Sequence, residues 1–156
     1  AWVPLRLMCP EGDVPVVPLA IQSQLGPEHH LRLGQALARL ARQDVLLIAS
    51  GNLTHNLRDF QLAYRHGGPA PAYVRAFAEW IWQRLDEGDL AALLDYRRQA
   101  PEAVRAHPAD DHLLPLFVAL GAAGPKARAS RQFAGDDIQT IAMDTFAFRP
   151  AAELLS

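Results

Sequence analysis

At 156 residues, 50% hydrophobic and 21% charged, the chain has the size and composition of one globular domain rather than of a disordered or fibrous protein. A formal net charge of -2 leaves no basic footprint for nucleic acid and no polybasic patch for a membrane surface, and no apolar run reaches the length of a transmembrane helix. Cys9 is the only cysteine, which excludes an internal disulfide and a Cys-rich zinc cluster and makes a reducing, cytoplasmic setting the natural expectation.

The opening Ala1-Trp-Val-Pro-Leu5 has neither an initiator Met nor the basic-then-apolar layout of a signal peptide. It reads as the middle of a fold, so a fragment or processed chain is expected. Pro4, Pro10 and Gly12 predict a packed loop or short broken helix over residues 1–13, with Cys9 as a small buried or half-buried apolar residue. Val14-Pro-Val-Val-Pro-Leu-Ala-Ile21 is rich in β-branched residues, but Pro15 and Pro18 each remove a ladder donor, which predicts an edge or bulged strand. Pro27 to Gln43 carries Leu33, Ala36, Leu37, Leu40 and Ala41 at helical spacing, with Pro27 in the first turn. Adjacent His29 and His30 point in different directions on such a helix, chelate poorly and read as solvated surface.

Asp44-Val-Leu-Leu-Ile-Ala49 is a short continuous apolar run between polar residues, the pattern of a strand buried on both faces. Paired with residues 14–21 across the helix it gives a strand, helix, strand unit, and hence an α/β fold with a central mixed or mainly parallel sheet flanked by helices. Ligands in such sheets lie beyond the carboxyl ends of the strands. There the run meets Ser50-Gly-Asn-Leu-Thr-His-Asn-Leu57, a small polar turn that presents His55 between Asn52, Thr54 and Asn56.

Downstream, His66-Gly-Gly-Pro-Ala70 is a loop with an exposed histidine. Val74, Phe77, Ala78, Ile81 and Leu85 form one apolar stripe on a core helix that ends at Gly88, and Asp89 is a good N-cap for a helix reaching about Gln99. In His107-Pro-Ala-Asp-Asp-His112, Pro108 holds the backbone extended and the acidic pair suits a helix start, while Leu113 to Leu120 is apolar nearly all round and must be buried. His107 and His112 are thereby carried to an interior cleft, where imidazoles need hydrogen bonds or a metal. After an ambiguous polar run, Ile138 to Phe148 reads as a closing strand.

Three histidines at element ends with Asp110 and Asp111 nearby allow either a mononuclear metal site or an acid/base site, and neutral imidazole suits Fe, Zn, Cu and Ni alike. Their spacing matches no compact zinc signature, and there is no P-loop, dinucleotide fingerprint or nucleophile elbow.

Ser50-Gly-Asn-Leu-Thr-His-Asn-Leu57, Leu94-Asp-Tyr-Arg97, Ala106-His-Pro-Ala-Asp-Asp-His-Leu-Leu-Pro-Leu116 and Met143-Asp-Thr-Phe-Ala-Phe148 together resemble the class III extradiol ring-cleavage dioxygenases, and among them the 4,5-DOPA dioxygenase-like branch. Trp2-Val-Pro-Leu5 and Val14-Pro-Val-Val17 look like that family's middle segment, so the resemblance spans nearly the whole chain. Ala109 stands where the family has a small hydroxyl residue, and Asp110-Asp111 replace a Glu pair. The resemblance implies that residues 1–156 are the C-terminal portion of one catalytic domain, whose N-terminal segment carries two further metal-ligating histidines. It implies His112 as a metal ligand, His55 as the acid/base near the substrate or a further ligand, His107 as lining the substrate pocket or orienting His112, and Asn56 as a substrate-binding residue. The implied reaction is O2-dependent cleavage of a catechol at mononuclear Fe(II), with Zn(II) as the alternative metal. A zinc hydrolase or a non-enzymatic binding protein on the same scaffold are the competing readings. A catechol-type small molecule and O2 are the expected partners, together with a homo-oligomeric partner or a complementing N-terminal segment. Arg58 follows the His55 turn and could meet a carboxylate, although a solvated surface role is the simpler reading.

Overall fold

The computed structural model describes residues 2–149, so Ala1 and the residues after Arg149 lie outside the described part. Helices dominate it. The chain opens with α1 (Trp2–Met8) and continues through an irregular stretch with turns at Cys9–Gly12 and Gln22–Leu25 to α2 (Pro27–Leu37), which starts with Pro27 in its first turn and tightens into a 3-10 turn at Ala38–Arg42. Next come α3 (Leu57–His66) and the long α4 (Ala72–Glu87). Three short helices follow, α5 (Leu90–Leu94), α6 (Tyr96–Gln99) and α7 (Ala103–Ala106), and then α8 (Leu114–Ala123). Asp89 caps α5 by accepting from the Ala92 N–H, and the helix expected to run on to Gln99 breaks at Asp95.

The core is built on α4, whose Val74, Phe77, Ala78 and Ile81 are fully buried against Tyr96, Leu113, Leu114 and Phe117. Their spacing puts them on one helical face, and burying each large side chain contributes about 1.5–3 kcal/mol. Helices α2 and α8 pack backbone to backbone where two glycines face each other. A Cβ on Gly34 would overlap the Val118 carbonyl oxygen, and one on Gly121 would overlap that of Leu31.

The strands are antiparallel. Strand β1 (Arg128–Phe133) pairs with β4 (Thr145–Arg149), with a register shift between Arg131 and Phe133, and β2 (Asp136–Asp137) pairs with β3 (Ile141–Ala142). The expected closing strand over 138–148 is thus two strands, β3 and β4, separated by Met143 and Asp144, and its first residues, Ile138 and Gln139, are left-handed and belong to the turn between β2 and β3. The polar run 128–133 is a half-exposed strand that apolar patterning could not reveal.

The expected parallel pair does not form among the described residues. Segments 14–21 and 44–49 hold no strand and belong to no ladder, and they expose Val16 (57%), Val17 (88%), Leu46 (72%) and Ile48 (48%). A strand exists only where a neighbour accepts and donates its backbone hydrogen bonds, and no described segment pairs with these two. The expectation for His30 is also corrected. It is fully buried, with Nδ1–H donating to the Gly26 carbonyl (2.9 Å) and Nε2 accepting from the Gln22 N–H (3.2 Å), so it fastens the entry to α2. Among the described residues no helix is long and apolar enough to cross a membrane.

Candidate functional site

The turn 51–56 is held by a hydrogen bond or close contact at nearly every residue. Gly51 lies against the loop before α8, where a Cβ would overlap the His112 carbonyl oxygen; the Asn52 N–H donates to that same oxygen at 2.9 Å. The Leu53 N–H donates to Ala142 (3.0 Å) and the His55 N–H to Ala106 (2.8 Å). Thr54 is fully buried, and its Oγ1 donates to the Thr140 carbonyl (2.8 Å) while accepting from the Ala142 N–H (2.7 Å). A buried hydroxyl that both donates and accepts ties its own turn to the backbone at Thr140 and Ala142. Asn56 caps α3, its Oδ1 accepting from the N–H groups of Arg58 and Asp59 (3.1 Å each) and its Nδ2 donating to the Arg105 carbonyl (2.8 Å).

This clamp brings His55 onto His112. Their rings stack with centroids 3.5 Å apart and planes 23° from parallel. His112 lies in the turn just before α8 rather than in its first helical turn, and its side chain is 37% exposed. The Asp111 carboxylate stands 3.6 Å from His112 Nε2. Burial and the neighbouring His112 both lower the His55 pKa from its ordinary value, with Asp111 pulling the other way. No hydrogen bond among the described residues ties up either ring nitrogen of His55. A half-buried, neutral imidazole with free nitrogens is suited to accepting and returning a proton.

His107 is placed differently. It is fully buried against Phe77 (ring centroids 5.6 Å apart), and Nε2–H donates to the Leu53 carbonyl at 2.7 Å, while Nδ1 has no partner. Burial pushes its pKa down to about 4, against the opposing pull of the carbonyl bond. His107 therefore acts from behind the turn, fastening Leu53 two residues before His55. Asp110, expected beside the histidines, instead pairs with Arg97, which also donates to the His107 carbonyl at 3.1 Å. Sequence reasoning did not find the anchoring roles of Thr140, Ala142 and Arg97. The first two act through backbone groups, which carry no side-chain signature.

The described residues do not make a complete metal site, because no cluster of three His, Cys, Asp or Glu side chains capable of holding an ion occurs among them. What fits is a partial contribution. The His112 imidazole, partly exposed and with no hydrogen-bond partner beyond the distant Asp111 carboxylate, can serve as one ligand of a shared site.

The residues 1–142 match the family described as the catalytic LigB subunit of aromatic ring-opening dioxygenase. The chain belongs to that family. It is 38% identical over 149 residues to the 4,5-DOPA dioxygenase extradiol of Portulaca grandiflora, covering 95% of this chain and 54% of the relative. It is 43% identical over 129 residues to the same-named protein of Beta vulgaris, covering 83% of this chain and 47% of the relative. The crystal structure of an uncharacterised protein from Escherichia coli K12 superposes with a TM-score of 0.79 at 28% identity, over 93% of this chain and 59% of that one. The chain thus spans about half the length of the plant relatives it matches.

Proposed function

We propose that this chain forms part of a non-haem metal dioxygenase that opens a catechol-type aromatic ring with O2, cleaving beside the two hydroxyls. The stacked pair of His55 and His112, in a chain of the LigB family, is the observation that carries the reading. His112 serves as one ligand of the metal, which we take to be Fe(II), with Zn(II) as the alternative. The remaining ligands come from polypeptide beyond the residues described, which also supplies neighbours for the unladdered segments 14–21 and 44–49 in a larger sheet. When bound, such a metal brings the catechol and O2 together and passes electron density between them.

The chain's own residues manage protons and geometry. His55, neutral at physiological pH because burial and His112 disfavour its charged form, accepts a catechol hydroxyl proton and returns it during ring opening. Asn56 and His107 bound the substrate pocket through the turns they hold, each fixing one flank of His55.

The test is anaerobic loading of a polypeptide of the relatives' full length with Fe(II), followed by L-DOPA or a simple catechol and then O2. O2 uptake should match the appearance of a coloured ring-opened product. Turnover that ignores O2, or metal loading with no product from any catechol, overturns the reading; the first outcome points to hydrolysis on the same scaffold.

A further inference from the structure

An open cleft of about 730 Å3 lies next to the turns that carry His55 and His107. Its walls include Asn56, Arg58, Arg97, Glu102, Arg105 and Pro108. Asn56 directly follows His55, and Pro108 directly follows His107, so the cleft shares its walls with the turns that carry the site. Three of the lining side chains are guanidiniums, and the lining holds one carboxylate, Glu102, with Asp59 and Asp110 paired to two of the guanidiniums from behind the wall.

Two of those guanidiniums are already fixed. Arg105 donates to Asp59 (3.0 Å) and lies 4.5 Å over the Tyr73 ring, while Arg97 pairs with Asp110 and the His107 carbonyl and lies 5.9 Å from the centre of Tyr96. Arg58 is different. Its backbone N–H is capped by Asn56, yet its side chain has no partner among the described residues. It sits in the first turn of α3, where the one carboxylate, Asp59, is engaged by Arg105, so the Arg58 guanidinium is left as the cation able to take an outside anion. A guanidinium fork matches a carboxylate or phosphate in two-point geometry, and rigid neighbours lower the ordering cost of binding.

We infer that the cleft centred on Arg58 binds an anionic oxo group, either the carboxylate of the aromatic substrate or a separate small anion such as phosphate. The first source rests on the ring-cleavage reading; the cleft itself does not. Glu102 is the one lining group that opposes an anion, and it gives the proposal a test of sign.

The experiment titrates the metal-free chain, followed by arginine side-chain and backbone NMR signals, with 3-(3,4-dihydroxyphenyl)propionate, 3-phenylpropionate, inorganic phosphate and 4-ethylcatechol. The anions should shift Arg58, Arg97 and Arg105, and 4-ethylcatechol should leave them in place. Binding should weaken with added salt. Removing one charge-assisted donor in Arg58→Gln should weaken binding roughly tenfold, and Glu102→Gln should strengthen it. If the dihydroxy acid alone also moves His55 and His112, the anion is the substrate's own carboxylate; if phosphate binds as well as either acid and the histidines stay still, it is a separate ligand. No shift with any anion, or equal affinity in Arg58→Gln, overturns the proposal. No metal or turnover enters the titration, so failure of the ring-cleavage reading would leave its result unchanged.

Discussion

The stacking of His55 on His112, with ring centroids 3.5 Å apart, is set by backbone contact: the Gly51 backbone presses on the His112 carbonyl oxygen, and the Asn52 N–H bonds to it. A methyl group at Gly51 has no room, so Gly51→Ala must push the 51–56 turn away from the loop before α8. The strain and the weakened Asn52 bond should cost about 1–3 kcal/mol. The two imidazoles should also separate. Urea denaturation measures the first effect and histidine ring NMR shifts the second; an unchanged ring environment would show that side-chain packing, not the backbone, sets the pair.

His107 makes stability depend on pH. Its pKa is about 4 in the folded chain against an ordinary 6.5, so the unfolded chain binds the proton more tightly. Unfolding therefore takes up a proton between these values. The contribution is nil above the unfolded value, and stability falls as pH drops through the window, by about 3 kcal/mol at full protonation. His107→Gln removes the titration while keeping a donor that can reach toward Leu53. The variant should be less stable at pH 7 and show a shallower decline between pH 6.5 and 4 than the parent in denaturant melts. Parallel declines would place the acid sensitivity elsewhere.

The placement of His55 beside His112 was legible because both are side chains at element ends. A polar turn after an apolar run announced His55, and a Pro-led approach to a wholly apolar helix announced His112. The core helix α4 was equally plain, since its stripe buries as spaced. The expected parallel sheet does not form among the described residues, for a physical reason. The composition of residues 44–49 reports a wish to be covered on both faces, whereas strand formation needs a ladder partner, and no described segment supplies one. His30 was misread because helical spacing predicts which face a residue takes but not that the preceding loop folds over it.

Asn56 holds three backbone groups at once, and its variants separate those roles. Asn56→Ala orphans the Arg58 and Asp59 N–H groups and the Arg105 carbonyl; the cap alone is worth about 1 kcal/mol, and up to about 2. Asn56→Asp keeps the cap acceptor but loses the donor to Arg105. Stability in urea should therefore rank parent, then Asp, then Ala. If Asp and Ala prove equal, the bond to Arg105 rather than the cap is what anchors α3.

Asp144 ties the antiparallel strands to the core helix. Its side chain is fully buried, and it accepts from Arg75 Nη2 on α4 (2.9 Å) and from Arg131 Nε on β1 (2.8 Å). Arg131 is itself only 15% exposed and keeps a second partner in Glu79 at 2.7 Å. Removing the shared carboxylate leaves two guanidiniums close together, one of them largely out of water. Breaking a buried pair in this way typically costs about 3–5 kcal/mol, and the surviving Glu79 contact should hold the loss for Asp144→Ala near the lower end. Asp144→Asn, which keeps an acceptor and the shape, should lose less. Trp82 stacks on Phe146 beside this network (centroids 6.0 Å apart, planes 6° from parallel), so near-UV circular dichroism should report local loosening before global unfolding. A loss under about 1 kcal/mol for Asp144→Ala would mean that apolar packing such as Trp82 on Phe146 already secures the strands and that the buried charge is dispensable.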